Sequence, residues 1–66
     1  MIPDLDIYRA AKLLVDRHGA EADAVALVRC HQLFEEGDEY GSATWREILK
    51  AVQELTRARR DDEPVN

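Results

Sequence analysis

Few residues in this chain could do chemistry. Cys30, His18 and His31 are its only thiol and imidazoles, and Glu35, Glu36, Asp38 and Glu39 crowd into the five positions of "EEGDE". A structural zinc takes four nitrogen or sulfur ligands and a catalytic zinc takes three. Cys30 and His31 are neighbours in the sequence. On a helix they would point about 100° apart, so they cannot easily share one ion. His18 lies beyond a turn. The same geometry works against a cysteine–histidine nucleophilic pair, and a 66-residue chain has little room for a catalytic pocket. "EEGDEYGSATWR" also fails as a calcium loop, which needs alternating oxygen ligands, a glycine at its sixth position and a glutamate at its twelfth. The residues therefore point to no catalytic group, metal, cofactor or small-molecule substrate.

The acidic stretch reads better as a corner between two helices. Gly37 supplies a left-handed residue that ends the helix before it. Asp38 caps the helix after it, and Glu39 sits in the first turn, where the helix dipole favours a negative charge. Gly41 lets the new helix come close to a neighbour. Glu35 and Glu36 stand at the disfavoured negative end of the preceding helix. They are either solvated, the preferred reading, or neutralised by a basic partner.

Three helices should position these residues. The first runs from about Asp4 to His18, with Ile7, Ala11, Leu14 and His18 on one stripe. Gly19 ends it. His18 would hydrogen-bond its last carbonyls. The second runs from about Glu21 to Glu36, with Ala22, Ala26, Arg29 and Leu33 on its core stripe. The third runs from about Glu39 to Arg60, with Gly41, Trp45, Ile48, Val52 and Leu55 facing inward and Trp45 as the main space-filler. Glu47 and Lys50 belong to its solvated face. Short connections between amphipathic helices predict antiparallel neighbours. The expected fold is an all-α three-helix bundle over residues 1–60, with a disordered acidic tail over 61–66. Helices 2 and 3 have the length of one tetratricopeptide unit, but a lone pair cannot bury its own face.

Charge and composition narrow the classes further. Net charge is −5, and Asp61, Asp62 and Glu63 carry three of the negatives. Residues 1–60 hold 11 acids against 9 bases. A chain that wraps a phosphate backbone usually shows a strong basic excess. The single cysteine fits a reducing compartment, no uncharged run approaches the ~20 apolar residues of a membrane helix, and the start is acidic where a signal peptide is basic. The expected location is the cytoplasm.

One likeness emerges from the pattern. Gly37, Asp38, Gly41, Ala43, Trp45, Ile48, Ala51, Val52 and Leu55, preceded by Ala11, Leu14, His18 and Gly19, resemble a family of very short uncharacterised bacterial proteins. The likeness covers roughly residues 5 to 58. It implies a three-helix fold and no established activity, and it carries over no catalytic residue.

Helix 2 offers more apolar surface than two helices can cover. Leu27, Cys30 and Phe34 form a second flank, and Val28 lies on yet another side. A helix apolar on more than one face is either central or covered by another chain. Arg29 falls on the core stripe, where arginine is rarely buried unpaired. It either snorkels, or meets a carboxylate such as Asp16 or Glu47, or faces a partner chain. The sequence thus predicts a non-catalytic protein-interaction module, either with another protein or as a homodimer, through Leu27, Val28, Arg29, Cys30 and Phe34. The alternative is a small nucleic-acid-associated regulator using Arg57, Arg59 and Arg60. Against it, a recognition helix beginning Glu39-Tyr40-Gly41-Ser42 lacks the basic start that DNA requires.

Overall fold

A computed structural model describes residues 4–62, with side chains described for 5–58. No strand occurs among the described residues. Helix α1 spans Asp4–His18, a single 3-10 turn spans Gly19–Glu21, α2 spans Ala22–Glu35 and α3 spans Glu39–Asp62. The all-α class and the expected helix limits hold within two residues. Helix α3 includes Asp61 and Asp62, and the rest of the expected disordered tail, 63–66, lies outside the described residues. No described helix is long and apolar enough to cross a membrane.

The chain reverses at Gly37, as its sequence predicts. Gly37 has φ +84°, which a residue with a Cβ adopts only under strain. Its amide donates to the Phe34 carbonyl at 3.1 Å, and the Asp38 amide donates to the Leu33 carbonyl at 2.9 Å. These two bonds satisfy the last carbonyls of α2 in the Schellman arrangement. Asp38 then opens α3. Its carbonyl accepts the Ser42 amide at 2.9 Å, and its Oδ1 accepts the Gly41 amide at 2.8 Å. One residue closes α2 and caps α3.

Gly19 behaves differently. It has φ +57°, so it too takes the left-handed conformation. The sequence predicts a second reversal here, with α1 folded back along α2. Two contacts exclude that arrangement. Cys30 on α2 meets Ser42 near the start of α3, whereas the Tyr8 hydroxyl on α1 donates to Glu54 Oε2, far along α3, at 3.2 Å. A folded-back α1 would put Tyr8 beside the start of α3. Nor is the first half of the chain one straight rod. The 22 residues from Tyr8 to Cys30 would rise about 33 Å as straight helix, against about 18 Å for the twelve from Ser42 to Glu54. Gly19 and the 3-10 turn therefore bend the chain, and α1 crosses α3 at an angle. Helices α1 and α2 touch each other less than either touches α3.

The bundle of three antiparallel neighbours is thus corrected. Helices α1 and α2 form one bent limb, and α3 is the second limb that both pack against. The molecule measures 46 × 22 × 15 Å.

The core follows the seam between the limbs. Ala11, Val15, Ala22, Ile48, Ala51 and Val52 form one buried cluster, with Ile7, Ala10, Leu14, Trp45 and Leu55 packed against it. Ala26, Cys30, Leu33 and Ser42 are also buried. Four alanines in this seam let the helix backbones approach closely. They also bury little area each, and Val52 is the largest fully buried side chain. Trp45 is half-buried at the edge and not the central space-filler. His18 is exposed and, as the N-cap of the 3-10 turn, makes no side-chain bond to it.

Candidate functional site

The buried stripe of α2 is Ala22, Ala26, Cys30 and Leu33. Cys30 takes the inward position that the sequence reading gives to Arg29. Its Sγ lies 3.3 Å from the Ser42 carbonyl oxygen and 3.4 Å from Ser42 Oγ. Ser42 is only 2% exposed, and Cys30 8%. The thiol and hydroxyl satisfy one another inside the seam, and no buried side-chain nitrogen or oxygen lacks a partner among the described residues. Cys30 therefore separates from the other proposed surface residues and belongs to the core.

The remaining four lie outside. Leu27 is 46% exposed, Val28 56% and Phe34 63%. Arg29 is exposed as well, and its Nη1 donates to Gln32 Oε1 at 3.4 Å. Three shallow depressions run together along this face. Glu21, Ala24, Val25, Val28, Arg29 and Gln32 line the first. Leu27, Val28, His31, Gln32 and Glu35 line the second. The third reaches α3 through Cys30, His31, Phe34, Ser42 and Arg46. Shared residues join them: Val28 and Gln32 link the first two, and His31 links the last two. Helix α1 packs mainly on α3 and leaves this face of α2 open.

Sequence reasoning missed the extent of the first depression. Its residues sit at positions 21, 24, 25, 28, 29 and 32, the repeat of a single helix face. That signal is present in the sequence, but it is masked by assigning Arg29 to the core. Leu5 and Leu13 on α1 and Tyr40 on α3 are further exposed apolar residues outside this face.

The other candidates are dispersed. His18 and His31 are exposed while Cys30 is buried. Among the described residues no group of three or more His, Cys, Asp or Glu side chains could hold a metal ion. Glu35 and Glu36 are exposed at the end of α2. Arg57 is exposed, and the side chains of Arg59 and Arg60 lie outside those described. The Glu47–Lys50 pair forms on the solvated face of α3 at 3.7 Å.

No family model matches the chain, and no curated protein or solved structure matches it significantly.

Proposed function

We propose that the chain is a non-catalytic protein-interaction module whose docking surface is the outward face of α2. One observation carries the reading. Leu27, Val28 and Phe34 stand exposed on a helix whose opposite side is already committed to α3. Apolar residues joined in a continuous face, rimmed by polar ones, mark interaction sites more often than scattered exposed side chains do. The rim here is Glu21, Arg29, Gln32 and Glu35. The small alanine-rich seam adds a thermodynamic reason. A 66-residue chain is marginal alone, and association is one of the usual supplements.

The test is the double variant Leu27→Asp/Phe34→Asp, compared with the wild type by circular dichroism and by binding of an apolar naphthalene sulfonate dye at high dilution. The variant should keep its helicity and cooperative unfolding while dye binding falls. Loss of helicity would place these residues in the core of the single chain. Unchanged dye binding would show that the face is not an accessible apolar surface. Either result ends the reading.

A further inference from the structure

The first depression on α2 has a polarity of its own. Glu21 stands at one end and Arg29 toward the other, and Ala24, Val25 and Val28 form the apolar floor between them. Both charged residues are exposed. Arg29 donates to the neutral Gln32, and the Glu47–Lys50 ion pair lies away from this face, on α3.

Such a strip is complementary to itself when turned end for end. We infer that the occupant of this face is a second copy of the chain, seated antiparallel on α2 across a two-fold axis, so that Arg29 of each copy meets Glu21 of the other. The inference rests on the docking reading above. A two-fold interface uses the same patch on both copies, so each contact occurs twice. The register that sets Glu21 against Arg29 places Val25 on the two-fold axis, so Val25 of each copy meets Val25 of the other, with Ala24 and Val28 beside it in the strip. A parallel pairing would instead set Glu21 against Glu21 and Arg29 against Arg29, and it would align the two helix dipoles unfavourably.

The experiment is sedimentation equilibrium of the full chain over a concentration series, with the wild type, Glu21→Arg, Arg29→Glu and the double exchange Glu21→Arg/Arg29→Glu. The wild type should self-associate. Each single variant creates two like-charge contacts and should raise the dimer Kd about tenfold at low salt. The double exchange should return to within about threefold of the wild type. Circular dichroism of all four should match, since both residues are exposed. A wild type that stays monomeric at every concentration overturns the inference, and so does a double exchange no tighter than the single variants. These failures are separate from that of the docking reading, which is decided by dye binding and helicity in the Leu27/Phe34 variant.

Discussion

The carboxylate of Asp38 occupies the space that a side chain at residue 41 would need. Its Oδ1 accepts the Gly41 amide at 2.8 Å, and a Cβ built on Gly41 would lie 2.8 Å from Asp38 Cγ. The sequence gives Gly41 the role of admitting a neighbouring helix. The structure shows it admitting the cap of its own helix.

The two residues should therefore couple. Asp38→Ala should cost about 1 kcal/mol, the usual effect of losing an N-cap. In an exposed helix, Gly→Ala gains roughly 0.5–1 kcal/mol. Gly41→Ala in the wild type should forfeit that gain, because the capping carboxylate must move. In the Asp38→Ala background the same change should be stabilising. Urea unfolding of the four proteins checks the change of sign. Equal effects of Gly41→Ala in both backgrounds would mean that the cap adjusts without cost.

An exposed contact between α1 and α3 has a titration signature. The Tyr8 hydroxyl donates to Glu54, and this bond, followed by the charge of the same carboxylate, holds the phenol above its ordinary 10.0. A raised folded-state value favours the protonated phenol. Whatever stability this contributes is fully present below pH 10 and is lost as pH rises through the folded-state value. Glu54→Gln should move the phenolate transition of Tyr8 back toward its ordinary position, as followed by ultraviolet absorbance against a Tyr40→Phe background. An unmoved transition would mean that the crossing of α1 over α3 does not bring these side chains together.

The burial of Cys30 predicts slow chemistry at its sulfur. Its Sγ lies against Ser42, and the residue as a whole is only 8% exposed. Alkylation by iodoacetamide should proceed through opening of the α2–α3 seam, so its rate should rise with urea in step with unfolding. Ser42→Ala should speed it by weakening the seam. Labelling of the native chain at the rate of a free thiol would place Cys30 on the outer face that the sequence reading gave it.

Much of this architecture is legible in the sequence, and the exceptions share a cause. Helix limits are marked by local signals such as Asp38, Gly37 and Gly19, which act through backbone chemistry within a few residues. Direction after a glycine is not marked in that way. Gly19 and Gly37 are both left-handed, yet one bends the chain and the other reverses it. The difference lies in what α3 buries: Ile7, Ala11 and Val15 share one cluster with Ile48, Val52 and Leu55 of α3, and α2 contributes only Ala22 to it. The phase of α2 fails for a related reason. Its apolar residues surround most of the helix, so periodicity alone allows either Arg29 or Cys30 inward. Desolvation decides, since a thiol is easily buried and a guanidinium is not. The exposed apolar residues Leu27, Val28 and Phe34 are legible in the sequence, but the depression lined by Ala24, Val25 and Val28 is hidden by the same phase error.

The phase of α2 can be tested without reference to any partner. Ala26 is fully buried in the seam, and Ala24 lies on the outward face. Ala26→Leu must force its added carbons between α2 and α3, where overpacking costs typically about 1–3 kcal/mol. Ala24→Leu adds the same atoms over open surface and should change the stability of the single chain by less than about 0.5 kcal/mol. Arg29→Ala should fall in the same small range, because its guanidinium bonds only to the exposed Gln32. Thermal unfolding at high dilution measures all three. If Arg29→Ala were as damaging as Ala26→Leu, α2 would be rotated toward the stripe first read from the sequence, with Arg29 inward. The apolar surface assigned to docking would then lie partly against α3.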